Sequence, residues 1–270
     1  VQNMSTIVKT EAIVLRSVDF RESSKVVTFY TRQFGKVAGM VKGARQSKSK
    51  FGSSLEPMSY VLLVFYKKEG RDIQTVSHCD LMKPFRKLYE DLDKMAAGMA
   101  MIELVNIVAH EQEQNIELFT LLQRSLNALN TATHNPSNLL YYFEVRLAKV
   151  LGFEPLFGHC VSCRKELKEV ADDRSYKIHI EKGGLICTKC SAVYGNTFVL
   201  PAGILKIFRQ ILTSNDVEAV FDLEVDEKMK NIMGSFIWTY LRYHISGLRS
   251  LKSDQVFSKI FTGLKNAEGN

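Results

Sequence analysis

Five short apolar runs, separated by glycine and polar residues, dominate the first 80 residues of the chain. Their β-branched and aromatic side chains are typical of β-strands. Five strands within this length predict a small barrel, and the five-stranded OB-fold is the natural candidate, although the pattern alone does not separate it from an SH3-like barrel. The runs are Ile7–Leu15, Lys25–Tyr30, Lys36–Val41, Tyr60–Tyr66 and Ile73–His78.

The spacing of the apolar residues changes to a helical period at Leu81. From there apolar side chains recur every three or four residues, which predicts helices whose Leu and Met stripes form a core. The first stripe is Leu81, Phe85, Leu88, Leu92, Met95, Met99 and Ile102, and further helices are predicted over Ile116–Leu129, over Ser137–Leu151, from Pro201 onward and over Met229–Leu251.

These patterns predict a multidomain α+β fold in which a cysteine-containing module is inserted into a helical domain. No segment approaches eighteen uninterrupted apolar residues, and the start of the chain has no apolar run like that of a secretory signal, so we expect a cytoplasmic protein. Whether Val1–Asn3 is native stays open. The predicted limits are 1–80 for the OB-fold domain, 81–155 and 199–252 for the two parts of the helical domain, 156–198 for the module and 253–270 for a C-terminal tail.

Four of the five cysteines form two pairs with the same spacing, Cys160-x-x-Cys163 and Cys187-x-x-Cys190. Two residues between cysteines let one tight turn present both sulfurs to an ion, and two such turns supply the four thiolates of a tetrahedral zinc site. Because a four-thiolate site has no open position for water or substrate, we expect one structural Zn²⁺ per chain. Cys79 stands alone and is predicted to be a small buried residue.

The net charge of +7 is concentrated in the N-terminal part of the chain. Residues 1–80 hold thirteen Lys or Arg against seven Asp or Glu, whereas residues 81–270 hold twenty-three against twenty-two. A scattered excess would be explained as a solubilising surface, but this asymmetry favours a polyanionic partner at the N-terminal end.

Twelve residues of this end are candidates for nucleic-acid binding. The fifteen residues 36–50 contain five cations and no acid, and their glycines and serines suggest a mobile loop that follows a phosphate backbone, with a neighbouring aromatic ring to stack on a base. Two smaller basic groups flank the first and last predicted turns, which border the binding face of OB-folds. The candidates are Arg16, Arg21, Lys25, Lys36, Lys42, Arg45, Lys48, Lys50, Phe51, Lys67, Lys68 and Arg71.

Sequence motifs of catalysis are absent. The chain has no GxxxxGK[ST] phosphate loop, no GxSxG nucleophile motif and no HExxH metal motif, so we expect a binding protein and not an enzyme. Two other hypotheses remain open at this point. The protein could be an RNA-binding OB-fold and zinc protein of translation or transcription, or an adaptor that acts through its helical domain.

Four segments carry a resemblance to the bacterial recombination mediator RecO family. Lys9–Gly43 and Phe51–Pro57 resemble the N-terminal OB-fold domain of that family, and Leu151–Cys163 and Gly183–Cys190 resemble its zinc module. The resemblance implies binding of single- and double-stranded DNA, annealing of complementary strands, and help in loading RecA onto strands coated by single-strand-binding protein. It also implies RecR as a partner, binding of the C-terminal tail of single-strand-binding protein by the helical domain, and association with the nucleoid.

Overall fold

The first half of the chain folds as a closed barrel followed by a helical pair. The computed structural model describes residues 5–167, 170–171, 174–195, 197–253 and 256. In chain order the elements of this half are β1 (Thr6–Phe20), β2 (Ser24–Thr31), β3 (Gly35–Val41), β4 (Tyr60–Lys67), β5 (Ile73–Lys83), α1 (Lys87–Glu90), α2 (Leu92–Val108) and α3 (Ile116–Thr131).

The five strands close in the order β1-β2-β3-β5-β4, and β4 returns to pair with β1. The pairings are antiparallel except for β3 with β5, which run parallel. The first half of β1 pairs with β4 and its second half with β2, and a bulge between Val14 and Arg16 allows the strand to bend from one neighbour to the other. The predicted five-stranded OB-fold barrel is therefore confirmed.

Alternation along the strands places one face of each strand in the barrel core. In β3, for example, Val37 and Val41 are buried, whereas the intervening side chains are half-buried on the outer face. Phe29 and Phe65 are the largest inward-facing rings, and Leu63 packs with them. Burial of each such side chain contributes roughly 1.5–3 kcal/mol to the free energy of unfolding. It also fixes the register, because a shift of one residue would move the apolar side chains of a strand to the solvent face.

The start of the helical region differs from the predicted one. Strand β5 continues to Lys83, so Leu81 lies in a strand and not in the first turn of a helix. The long helix α2 begins only at Leu92, where the Asp91 carboxylate accepts hydrogen bonds from the backbone amides of Asp93 and Lys94. The helical spacing from Leu81 to Leu88 was an accidental match between a strand end and the short helix α1.

Residues 132–249 form a second compact unit, which we call the cysteine unit. Its helices are α4 (Asn138–Val150), α5 (Thr188–Ser191), α6 (Ala202–Thr213) and α7 (Glu227–His244), and its sheet of β6 (Ser175–His179), β7 (Gly184–Ile186) and β8 (Thr197–Pro201) has the order β7-β6-β8. Helix α7 ends at His244 and not at the predicted Leu251, and Gly247 then adopts a positive φ of 85° in the turn that follows.

The other compact unit, the barrel unit, comprises residues 1–131 and 250–270. This division differs from the limits predicted from the sequence, because α2 and α3 belong with the barrel, while α4, α6 and α7 belong with the cysteine module. The predicted C-terminal tail, 253–270, lies outside the described residues except at positions 253 and 256. Within the described chain, no helix combines the length and the apolar character needed to cross a membrane.

Candidate metal centre and nucleic-acid interface

The sulfur atoms of Cys160, Cys163, Cys187 and Cys190 all lie within 4.8 Å of one another. The sulfurs of Cys163 and Cys187 are 3.7 Å apart, too far for a disulfide bond of about 2.05 Å. Four thiols at such separations form a metal-binding cluster, so the two pairs that the sequence singled out do meet in the fold.

Each cysteine pair lies in a tight turn, which we call the first knuckle (160–163) and the second knuckle (187–190). In the first, the amide of Arg164 donates to the carbonyl of Cys160 at 2.9 Å, and Arg164 itself has a positive φ of 64°. In the second, Cys187 immediately precedes α5, and the amide of Ser191 donates back to its carbonyl at 2.8 Å. These turns orient both sulfurs of a pair toward the same point.

Backbone hydrogen bonds around Gly184 connect the first knuckle to the strand that precedes the second. The amide of Leu185 donates to the carbonyl of Leu156 and the amide of Val161 donates to the carbonyl of Leu185, each at 2.8 Å. A Cβ atom on Gly184 would collide with the Leu156 carbonyl and with the Val161 side chain, so only glycine permits this approach. The close packing brings the first knuckle against the strand that leads into the second.

Hydrogen bonds within the cluster favour ionised sulfur at two positions, because they lower the pKa of both Cys160 and Cys187. Burial of the Cys160 sulfur disfavours its thiolate, but backbone N–H groups of Cys163, Cys187 and Ser162 donate to it and lower its pKa to about 6. Cys79 is also buried, but it lies in the barrel core, where burial raises its pKa to about 11. Cys79 is therefore a buried thiol, as predicted, and takes no part in the metal cluster.

The candidate DNA-contacting residues fall into two groups at opposite ends of the barrel. The strand pairings place the β1–β2 turn and the connection 42–59 at the first end, and the turns 32–34 and 68–72 at the second end. The seven residues of β3 separate the two ends by roughly 20 Å. Arg16, Arg21, Lys25, Lys42, Arg45, Lys48, Lys50 and Phe51 lie on the side of the first end, and Lys36, Lys67, Lys68 and Arg71 on the side of the second.

Several cations of the first end already contact groups of the barrel unit. Arg45 forms an ion pair with Asp19 at 3.1 Å, and Lys25 forms one with Glu56 at 3.3 Å. The Lys50 ammonium donates to the carbonyl of Ser77 at 2.9 Å. Such exposed pairs are worth only about 0–1 kcal/mol, so phosphate groups could replace these partners at little cost.

Phe51 does not occupy the position that the sequence suggested. Its ring is only 6% exposed and packs in the barrel core, where Leu55 and Val76 belong to the same cluster. A ring in the core offers no face to a base, so the expectation that Phe51 stacks on nucleic acid is corrected. An aromatic ring beside a basic loop predicts a stacking contact, whereas this ring packs the connection 42–59 onto the barrel.

Lys36, at the second end, lies beneath the α2–α3 connection. Its ammonium donates to the carbonyl of Asn106 at 3.0 Å, and its backbone pairs with the segment around Glu111 and Gln112. The neighbouring Gly35 has a positive φ of 61°, and a Cβ there would collide with the Glu113 backbone. The α2–α3 connection thus packs against this part of β3, and the DNA contact of Lys36 stays a prediction.

A cavity of about 250 Å³ opens at the second end, and Lys36 and Lys67 both line it. The Lys67 ammonium lies 5.2 Å from the centre of the Phe34 ring, and Asp72 also lines the cavity. Lys68 and Arg71 are exposed in the adjacent turn. Acidic side chains are present at both ends of the barrel, and cations outnumber them at each.

One exposed surface of the barrel was missed in the sequence. After the β1 bulge, Arg16, Val18 and Phe20 all point to the outer face, and we call them the outer β1 stripe. Val18 is 43% exposed and Phe20 is 37% exposed, and the Arg21 guanidinium lies 5.2 Å from the centre of the Phe20 ring. The predicted first strand ended at Leu15, so these residues fell in the predicted turn, although the alternation of Arg16, Val18 and Phe20 indicates one face of a longer strand.

Comparison with known proteins gives matches over both halves of the chain. The family described as Recombination protein O N terminal matches residues 4–85, and the family described as Recombination protein O C terminal matches residues 89–255. The DNA repair protein RecO of Chloroherpeton thalassium is 31% identical over 254 residues, which cover 93% of this chain and 98% of that protein.

Two further relatives carry the same name. The DNA repair protein RecO of Nocardioides sp. is 33% identical over 90% of this chain and 97% of its own length. That of Salinibacter ruber is 41% identical over 150 residues, or 56% of this chain and 58% of that protein. The similarity extends over both the barrel unit and the cysteine unit.

Proposed function

Because the chain belongs to the RecO family of DNA repair proteins, we propose that it is a DNA-binding recombination mediator and not an enzyme. In this proposal it binds single- and double-stranded DNA and anneals complementary strands. It also assists the loading of RecA onto strands that are coated by single-strand-binding protein.

The observation that carries the DNA-binding proposal is the outer β1 stripe together with the cations beside it. Phe20 is exposed and can stack on a base, and Arg16, Arg21 and Lys42 are exposed around it. Aromatic rings and cations that follow a backbone are the two components of single-strand binding by OB-folds. Binding of this kind tolerates any sequence, which suits a DNA repair protein.

We further propose that the four-cysteine cluster holds one Zn²⁺ with a structural role. Zinc–sulfur bonds of about 2.3 Å in a tetrahedron give sulfur separations of about 3.8 Å, close to the 3.7 Å between Cys163 and Cys187. The complete set of four thiolates leaves no coordination position for a substrate. The metal would link the two knuckles, and with them the short strands of the module.

The protein partners follow from the family relationship alone. We propose RecR as a direct partner, the C-terminal tail of single-strand-binding protein as a ligand of the helical region, and RecA as an indirect partner. A cytoplasmic, nucleoid-associated location belongs to the same proposal, because DNA is the shared substrate of these proteins.

Oligonucleotide binding as a function of salt tests the DNA-binding proposal. We expect the changes Arg16→Gln, Arg21→Gln, Lys42→Gln and Lys48→Gln, made together, to weaken single-strand binding and to flatten the slope of log affinity against log salt by up to about 3, or about 0.7 per lost phosphate contact. A matched control carries Lys9→Gln, Arg86→Gln, Lys87→Gln and Arg124→Gln, four exposed cations of the barrel unit outside this surface.

Equal binding by the two variants would contradict the assignment of this surface. Competition between DNA and RNA oligonucleotides of one sequence completes the test. A clear preference for RNA would instead favour a role in translation or transcription, since such a preference requires recognition of the 2′-hydroxyl.

A further inference from the structure

A second basic surface lies on the cysteine unit, next to the metal cluster. A cavity of about 460 Å³ opens beside β6 and the second knuckle. Lys165 follows the first knuckle, Arg174 and Lys177 come from β6 and the residue before it, and Lys189 lies in the second knuckle. Three separate parts of the chain contribute these cations, so the tertiary structure brings them together.

The walls of this cavity suit a polyanion. All four cations are exposed, and within the described part of the chain no acidic side chain lines the cavity. Tyr176 is half-buried in the wall, and its hydroxyl accepts a hydrogen bond from the amide of Ala171 at 2.9 Å, which holds the ring in place. An isolated carboxylate or phosphate would use one or two of the cations, whereas a nucleic-acid strand carries a phosphate at every nucleotide and can use all four.

Charge balance at the metal centre is the structural alternative. Four thiolates around a divalent ion carry a net charge of about −2, which nearby cations would offset. Only one of the four ligands, Cys187, lines this cavity, however. Charge balance also needs no open space between the cations, because exposed charges act through solvent over a Debye length of about 8–10 Å.

We propose that this cavity binds the backbone of a second nucleic-acid strand, while the outer β1 stripe binds the first. The proposal rests on the DNA-binding function proposed above. Two strands that are brought together for annealing are both polyanions and repel each other, so a protein that holds both needs two basic surfaces. The barrel unit provides one of them, and the cysteine unit provides the other.

A strand-capture measurement with the full-length protein tests this proposal. A biotinylated oligonucleotide is immobilised, saturated with protein, washed, and then offered a fluorescent oligonucleotide that is not complementary to it. The test variant carries Lys165→Gln, Arg174→Gln, Lys177→Gln and Lys189→Gln. The control carries Lys206→Gln, Lys228→Gln, Arg242→Gln and Arg249→Gln, four exposed cations of the same unit outside the cavity.

We expect the parent and the control to capture the second strand. The test variant should bind it at least about tenfold more weakly, with a salt slope flatter by up to about 3. It should still be retained on the first strand and should keep one metal ion per chain. If the test variant is poorly folded, the double change Lys177→Gln and Lys189→Gln replaces it, with an intermediate loss expected.

Four results would overturn the proposal. The test variant could capture the second strand as the parent does, or it could lose capture only together with its metal, which would show that the cations support the metal centre. A polyglutamate peptide that occupies the cavity while the second strand does not would assign it to an acidic protein. If the parent is retained on the first strand but never captures a second, this inference fails alone, whereas a parent that binds no strand contradicts the proposed function itself.

Discussion

Two phenylalanines of the barrel show that a residue's role depends on the face it occupies. Phe51 and Phe20 are both apolar rings next to basic residues in the sequence. Phe51 packs in the core, whereas Phe20 lies on the outer face of β1 after the bulge. Proximity to cations in the sequence pointed to Phe51, which is buried. The register of β1 shows that Phe20 is the exposed ring.

Changing each ring to alanine should separate stability from binding. We expect Phe51→Ala to lower the free energy of unfolding by about 3–5 kcal/mol, because it leaves a cavity in the barrel core. Phe20→Ala should leave the unfolding free energy nearly unchanged and weaken single-strand binding by about 1–3 kcal/mol through the loss of one stacked base. Urea unfolding and fluorescence anisotropy measure the two quantities, and a stable Phe51→Ala variant with impaired binding would reverse the assignment.

At the scale of the element, the short strands of the cysteine unit depend on the knuckles that adjoin them. Strand β7 has three residues and β6 has five, and isolated strands of this length are marginal in water. The second knuckle follows directly after β7, and the first knuckle bonds to its backbone at Leu185. A metal ion that links the knuckles would therefore hold the small sheet in place.

Removal of one cysteine ligand should cause loss of the metal and should disorder the small sheet. We expect Cys163→Ser to lose the bound zinc, because structural zinc contributes about 10–16 kcal/mol of apparent binding energy and needs all its ligands. Limited proteolysis should then cut between residues 156 and 198. The control Cys79→Ala removes a thiol outside the cluster and should keep one zinc per chain, and purified parent protein without zinc by elemental analysis would refute the zinc assignment.

At the scale of the whole molecule, the chain leaves the barrel unit at residue 132 and returns to it at residue 250. The return is fixed by Glu103 of α2, whose carboxylate accepts hydrogen bonds from the amides of Lys252 and Ser253 at 2.8 and 3.0 Å. The Ser253 hydroxyl donates to the same carboxylate at 2.9 Å, and Leu251 is buried nearby. One carboxylate therefore joins segments about 150 residues apart.

Loss of this carboxylate should detach the returning segment. We expect Glu103→Ala to destabilise the barrel unit by about 1–3 kcal/mol, because two backbone amides lose a charged acceptor. Hydrogen exchange at residues 250–253 should accelerate while exchange in β2 and β3 stays slow. Glu117→Ala, an exposed acidic residue of α3, is the matched control, and unchanged exchange in the Glu103 variant would show that burial of Leu251 alone holds the segment.

Local patterns in the sequence determined the barrel strands, most of the long helices and the four metal-binding cysteines. Alternation of side chains and the repeated CxxC spacing involve residues close together in the chain, so they can be recognised from the sequence alone. The domain limits and the DNA-contacting residues stay predictions, except that the burial of Phe51 contradicts its predicted stacking on a base.

Only the tertiary structure decided which faces of those elements are covered. Lys36 lies under the α2–α3 connection and Phe20 stays exposed because of how distant segments pack and where β1 bends. The cavity on the cysteine unit likewise joins Lys165, Lys177 and Lys189 from separate segments. Burial depends on contacts between residues far apart in the chain, and composition and spacing carry no record of those contacts.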